Sequence, residues 1–162
     1  MKQLPDSKPE ATAKGKAYRK EILVRFSDCD PAGIVFYPKY FEMFNSLIED
    51  WCRDELQFSF TEIVARRGWG LPAVHLEADF RAPSQFGEAL QAALRLRRIG
   101  RSSITLEITF HGSDGVLRVD GKAVLVLMDR SVTRAIPFPD DVRQRLAVFG
   151  DLLPGKRKGK RK

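Results

Sequence analysis

One apolar stripe governs what this chain can become. Phe41, Phe44, Leu47, Ile48, Trp51 and Cys52 recur at spacings of three and four, which is one face of a long helix running from about Pro38 to Leu56. Pro38 suits the first helical position, because its missing N–H would be unpaired there anyway. A helix this apolar must be covered, and the rest of the chain supplies the cover. Val74, Leu76, Ala78 and Phe80 alternate with polar or exposed positions, as do Leu90, Ala92, Leu94 and Leu96, and again Ile104, Leu106, Ile108 and Phe110. These read as strands. Gly100 breaks one run, and Ser113-Asp114-Gly115 is a hairpin signal. Val119 to Met128 reads as a long strand, nearly continuous from Val124 to Met128 and so expected to be buried on both faces. Ile22, Val24 and Phe26 make a first strand ahead of the helix. Gly68-Trp69-Gly70 reads as a loop, Pro83 to Gly87 as a turn, and Asp140 to Phe149 as a short last helix. The expected fold class is α+β, an antiparallel five-stranded sheet wrapped around one long helix and joined by four successive hairpin-type links. Such a sheet leaves edges and one face to cover, so self-association is expected.

With 162 residues, 43% of them hydrophobic and 30% charged, the chain has the composition of one soluble globular domain. No run of 18 apolar residues exists, so membrane insertion is not expected. Met1 to Lys20 is polar and lacks the apolar core of a secretory signal. Cys29 and Cys52 have no metal-type spacing and read as free thiols of a reducing, cytoplasmic setting. The formal net charge of +7 invites a nucleic-acid reading, but its location argues against one. Residues 1–20 carry +4 and Lys156 to Lys162 carry +6, which leaves −3 for residues 21–155. The expected organisation is a flexible basic segment over 1–19, one domain over 20–150 and a basic disordered tail over 151–162.

The chemistry concentrates in Asp28-Cys29-Asp30-Pro31-Ala32-Gly33-Ile34-Val35-Phe36-Tyr37-Pro38-Lys39-Tyr40. Asp30 sits on a turn a few residues before a helix N-terminus, which offers unpaired backbone N–H groups and the positive end of the helix dipole. Such N–H groups can hold the oxygen of a polarised carbonyl. A carboxylate beside that oxygen can attack the carbonyl carbon or deprotonate a water that does. The apolar stretch Ile34 to Tyr37 would limit water and strengthen each charge interaction. The plainer reading is that Asp28 and Asp30 cap a turn, as Asp before Pro often does. No His or third acid stands near the pair, which argues against a metal.

This thirteen-residue stretch resembles the signature of the 4-hydroxybenzoyl-CoA thioesterase family, in the aspartate branch of the hotdog-fold acyl-CoA thioesterases. The resemblance extends more loosely over residues 20–140, through Arg67-Gly68 and Arg134-Ala135-Ile136. It implies a hotdog fold and hydrolysis of an aromatic, 4-hydroxybenzoyl-like, or medium-chain acyl-CoA to the free acid and coenzyme A. The catalytic aspartate falls on Asp30, and the backbone amide that polarises the thioester oxygen falls on Tyr37. Asp28 becomes a turn residue and Cys29 a buried thiol. No cofactor is implied, since coenzyme A belongs to the substrate. Its phosphates call for cations at the pocket mouth. Arg134 matches a family phosphate ligand, and Arg98 and Arg101 substitute for a more basic pattern in which Gly100 and Ser102 would also be basic. Asn45 stands where the 4-hydroxybenzoyl enzyme has an acid facing the phenol hydroxyl. Phe41, Phe44 and Trp51 fit an aromatic pocket or the core, and His75 and His111 carry no motif. A homo-oligomer, dimer or tetramer, with the site at the subunit interface is implied. Two alternatives stand beside this reading. One is a Tol–Pal-type aliphatic acyl-CoA thioesterase, whose branch carries His-Ala where this chain has Tyr37-Pro38. The other is a non-catalytic acyl-CoA-binding hotdog domain.

Overall fold

The computed structural model describes residues Gly15–Gly150. The expected flexible segment (through residue 14) and the expected tail 151–162 lie outside the described residues. Ten elements carry the fold: β1 (Ala17–Leu23), α1 (Tyr37–Asp54), β2 (Trp69–Gly70), β3 (Ala73–Phe80), β4 (Ala89–Ile99), β5 (Ser103–His111), β6 (Leu117–Val126), β7 (Met128–Asp129), β8 (Arg134–Ala135) and α2 (Asp140–Phe149). A wide helical turn, Thr61–Arg66, links α1 to β2.

The main sheet is antiparallel with strand order β1-β4-β5-β6-β3. This is the expected five-stranded sheet around one helix, with one difference in its wiring. Only the β4–β5 and β5–β6 links are hairpins. The β3 strand pairs with β6, so the chain crosses the sheet before starting β4 beside β1. Alternation along each strand reports one buried face and is silent on which strand lies next to which.

α1 lies across the concave face. Tyr40, Phe44, Leu47, Ile48 and Trp51 are buried against Leu90, Leu94, Ile104, Leu106, Ile108 and Phe110 of the sheet. Full burial of each such side chain stabilises the fold by about 1.5–3 kcal/mol. Phe44 rests against Gly121 on β6, where a Cβ would stand 2.5 Å from its ring. α2 caps one end through Val142, Leu146 and Phe149, the last set edge-on to Trp51 at 5.7 Å.

Three local expectations change. The first strand starts at Ala17, ahead of residue 20, and ends at Leu23. The Asp28 carboxylate accepts the Arg25 N–H at 2.8 Å and folds Phe26–Asp28 into a tight helical turn, which takes Phe26 out of the strand. Trp69–Gly70 is a strand rather than a loop, paired with β7, and β7 pairs with β8 in a small second sheet. In β6, Val119, Gly121, Ala123 and Leu125 are buried while Val124 and Val126 are only half-buried, so the strand is one-sided. No helix among the described residues is long and apolar enough to cross a membrane.

Candidate active site

The segment Cys29 to Phe36 folds back on itself. Cys29 and Val35 form an antiparallel bridge, the Asp30 N–H donates to the Ile34 carbonyl at 3.0 Å, and the Gly33 N–H donates to the Asp30 carbonyl at 2.9 Å. Pro31 presets the second position of this turn. Gly33 has φ of 77°, a left-handed conformation that a glycine adopts without steric cost. The loop is pinned from outside as well. The Phe36 N–H donates to the Asp28 carbonyl at 2.9 Å, and the Val35 N–H donates to the Ser84 carbonyl at 2.9 Å. Asp28 is thus a turn residue, as the resemblance implied.

Asp30 is half-buried. Its Oδ1 accepts the Ala32 N–H at 2.8 Å, which fixes the carboxylate, and its Oδ2 has no partner among the described residues. Tyr37 opens α1, and its backbone N–H finds no acceptor among the described residues. First-turn N–H groups lack intrahelical partners by construction. The Tyr37 ring turns aside to pack on Phe36 and Phe80, with centroids at 5.3 and 6.3 Å. The structure therefore brings an anchored carboxylate and an open helix-end amide onto one short loop-to-helix junction.

Cys29 is half-buried rather than buried. Burial, followed by the nearby charges of Asp28 and Asp30, pushes its thiol above the ordinary range, which disfavours the thiolate. Cys52 is fully buried and pushed up to about 12 by burial first, then by the Glu49 charge.

Two features of the junction have no weight in the sequence reading. The Tyr40 hydroxyl donates to Ser84 Oγ at 2.8 Å, both groups buried, tying α1 to the loop that holds Val35. Burial is the leading cause that raises the Tyr40 pKa. Tyr40 was visible in the motif, but Ser84 sits in an ordinary-looking turn and gives no signal. Phe80, at the end of β3, packs on Tyr37, Tyr40 and Phe41 of α1.

Beyond Phe80 lies a pocket of about 130 Å³ between α1, β3 and β6, lined by Phe41, Phe44, Asn45, Ile48, Leu76 and Leu125 among others. Trp51, by contrast, belongs wholly to the core. A larger groove of about 340 Å³ runs along the opposite face of α1, between it and β1, with Asp28 and Lys39 on its rim. Neither Asp30 nor Tyr37 lines either cavity.

The three arginines lie elsewhere. Arg98 is the penultimate residue of β4, Arg101 follows the strand, and Arg134 opens β8; all are exposed, and their side chains make no hydrogen bond or ion pair among the described residues. The Leu127 N–H to Ser102 carbonyl bond (2.8 Å) and the Phe138 N–H to Arg101 carbonyl bond (3.1 Å) bring the Arg101 turn to the side of the small sheet. Asp30 lies at the other end, near the start of β4. The eleven residues of β4 span roughly 30 Å at the usual strand rise, so one protomer does not unite Asp30 with these cations. His75 is exposed beside Glu77. Among the described residues no three His, Cys, Asp or Glu side chains cluster as a metal site would.

The chain resembles known proteins over most of its described length. It is 28% identical to a 4-hydroxybenzoyl-CoA thioesterase of Pseudomonas sp. over 125 residues, 73% of this chain and 89% of that one. It is 22% identical to a 1,4-dihydroxy-2-naphthoyl-CoA hydrolase of Synechococcus elongatus over 138 residues, 83% of this chain and 98% of that one. Its fold matches the crystal structure of a 1,4-dihydroxy-2-naphthoyl-CoA thioesterase from Synechocystis with a TM-score of 0.76, at 22% identity, over 85% of this chain and 98% of that one. That neighbour identifies the sheet around α1 as a hotdog fold. The family model for the thioesterase-like superfamily matches residues 24–146, which takes in the Asp30 loop, α1 and the whole of β3 to β6; the chain belongs to that superfamily.

Proposed function

We propose that the substrate is an aromatic acyl-CoA, that Asp30 acts on its thioester carbon and that the Tyr37 N–H binds its carbonyl oxygen. Acyl-CoA thioester hydrolysis is the chemistry of the family and of its named relatives, and this chain is an enzyme of that class. The observation that carries the finer reading is the junction itself, a loop that immobilises a carboxylate with one unpartnered oxygen and runs within seven residues into a helix whose first N–H is unpartnered among the described residues. As the carbonyl carbon becomes tetrahedral, negative charge builds on its oxygen, where the N–H and the helix dipole stabilise it.

One carboxylate serves two routes. Direct attack gives an acyl–Asp30 anhydride and expels the coenzyme A thiolate, and water then cleaves the anhydride. General-base attack takes a proton from water, whose oxygen bonds to the carbon as the C–S bond breaks. Both yield the acid and the thiol, and neither needs a cofactor. Single turnover in ¹⁸O-water separates them, because only the anhydride route allows unlabelled Asp30 oxygen to reach the product. Asn45, in the lining of the apolar pocket, is assigned to the ring substituent.

Arg98, Arg101 and Arg134 are assigned to the coenzyme A phosphates, which requires a second copy of the chain. Among the described residues the β3 strand is an unpaired edge, with Val74, Leu76 and Phe80 exposed at 61, 41 and 50%. Exposed apolar edges of this kind pair with another chain. Antiparallel pairing of two β3 strands about a two-fold axis sets the Phe80 end of one beside the Ala73 end of the other. The Ala73 end is also the Arg101 and Arg134 end of the sheet, as the Ala73–Leu125 and Ser103–Val126 registers require. Each Asp30 then works with the other copy's arginines. Two such dimers make the tetramer proposed for the working assembly, in a cytoplasm that keeps Cys29 and Cys52 reduced.

The test is thiol release from a panel of acyl-CoA esters, followed by subunit mixing. Asp30→Asn and Arg134→Ala homodimers should each be deficient at low substrate, and mixing them should restore about a quarter of wild-type activity through hybrids with one intact site. No release from any ester would favour a binding module. Release restricted to aliphatic esters would favour the Tol–Pal-type alternative, and no recovery on mixing would place the whole site in one protomer.

A further inference from the structure

Arg118 on β6 holds both ends of the turn against which the Asp30 loop rests. That turn, residues 81–88, runs from the end of β3 to the start of β4. Where it begins, the Arg81 and Ala82 N–H groups both donate to the Arg118 carbonyl, at 2.8 and 3.2 Å. Where it ends, Arg118 Nε and Nη2 donate to Glu88 Oε1 at 3.0 and 2.6 Å. The other Glu88 oxygen, Oε2, accepts the Gln85 N–H at 3.1 Å inside the turn. One residue thus closes the turn, by its carbonyl on one side and its guanidinium on the other. The two side chains are only 13 and 12% exposed, a setting in which a charge-assisted pair is strong. The guanidinium is itself fixed. Nη2 donates to Asp114 Oδ2 at 2.9 Å, and Asp114 Oδ1 accepts the Val116 N–H at 2.9 Å within the β5–β6 hairpin. Gly112 leaves the pair its room, since a Cβ there would collide with Arg118 Nη2 and Glu88 Oε1.

The middle of the turn carries the loop. The Phe86 N–H donates to the Gly33 carbonyl at 3.1 Å, Ile34 and Gln85 form an antiparallel bridge, and the Val35 N–H donates to the Ser84 carbonyl at 2.9 Å. Within its loop the Asp30 carboxylate is fixed by the Ala32 N–H, so its place relative to α1 depends on what holds the loop. We infer that Arg118 and Glu88 are positioning residues that fix the Asp30 loop through the 81–88 turn and so set the place from which Asp30 acts. What the carboxylate then does rests on the thioester reading. Misplacement by about 1 Å, from a change far from the chemistry, costs about a hundredfold in rate. Loss of the pair should therefore lower kcat and leave substrate affinity intact.

Two variants separate positioning from bulk stability. Arg118→Met with Glu88→Leu replaces both charges by apolar groups of similar size, an exchange that is often neutral for stability, yet the Gln85 N–H loses its acceptor and the turn its closure. Glu88→Gln keeps the side-chain shape and loses one tie in either amide orientation, because a Gln has one acceptor oxygen where Glu88 uses two. Amide hydrogen exchange, Tm and thiol release from benzoyl-CoA are measured on both beside wild type. Tm and the amides of the central strand β5 should stay near wild type, while the Val35 and Phe86 amides exchange at least about tenfold faster. The kcat should fall about ten- to a hundredfold, with unchanged affinity for the non-hydrolysable ketone that carries CH₂ in place of the benzoyl-CoA sulfur. Val35 and Phe86 amides as slow as in wild type overturn the inference. So does a wild-type kcat in a variant whose loop amides are fast, since the pair would then be structural alone. Faster loop exchange in the variants, with no ester hydrolysed even by wild type, upholds the hold on the loop and sinks the hydrolase reading alone.

Discussion

Removing the Tyr40 hydroxyl should loosen the junction proposed as catalytic by a calculable amount. Tyr40 is 4% exposed and Ser84 is fully buried, and their 2.8 Å hydrogen bond is made in an apolar setting. In Tyr40→Phe the Ser84 hydroxyl stays buried and loses this partner, which costs about 1–3 kcal/mol. For a chain of this length each kcal/mol shifts Tm by about 2–4 °C, so a mid-range loss lowers Tm by about 4–8 °C. Ser84→Ala strands the Tyr40 hydroxyl and should cost a similar amount. The double variant removes both polar groups and should lie well above the sum of the singles, with a coupling of about 1–2 kcal/mol. Denaturant titration of the four proteins gives the cycle. Because the Ser84 carbonyl also holds the Val35 N–H, Tyr40→Phe should lower kcat while leaving the KM for coenzyme A esters near wild type, the arginines proposed to hold coenzyme A being at the far end of the sheet. Single variants within 0.5 kcal/mol of wild type, or costs that simply add, would refute the reasoning.

Two further outcomes follow from the packing and the titration of the core. Gly121→Ala places a Cβ 2.5 Å from the Phe44 ring and 2.9 Å from the Glu77 carbonyl, which should cost about 1–3 kcal/mol in thermal or urea denaturation. Burial raises the folded Cys52 thiol from about 9 to about 12, so above pH 9 the unfolded chain holds fewer protons than the folded one. Stability is then intact below about pH 9 and falls as pH rises toward 12, by at most about 1.4 kcal/mol per unit from this group. Tyr18, raised by burial and by its bond to Asp54, acts in the same direction. Urea midpoints at pH 8, 9 and 10 should therefore fall for wild type and fall less for Cys52→Ala.

The helical stripe from Phe41 to Cys52 and the alternating runs in β3 to β6 reveal their own elements, because each buries one face at its own period. Their arrangement is less legible. Nothing in the β3 sequence says that it pairs with β6 instead of β4, and Phe26 continues an alternation that the Asp28 cap interrupts in three dimensions. The turn that carries Asp30 and leads into α1 at Tyr37 is legible because both lie in one contiguous stretch. Ser84 and Phe80 are not, since each reaches the junction through tertiary contacts from a distant segment. The arginines mark a third case. Their residue type and turn positions are readable, but the separation of roughly 30 Å from Asp30 appears only once the direction of β4 is known.

The central claim is that one carboxylate carries the reaction. Asp30→Asn keeps the side-chain shape and the bond from the Ala32 N–H to its oxygen while removing the charge. Thiol release from benzoyl-CoA in single turnover, by wild type and variant of equal Tm, measures that charge directly. A loss of at least about a hundredfold in the chemical step, with unchanged affinity for the non-hydrolysable ketone that carries CH₂ in place of the benzoyl-CoA sulfur, is the result expected. Turnover by the variant at the wild-type rate would contradict the account.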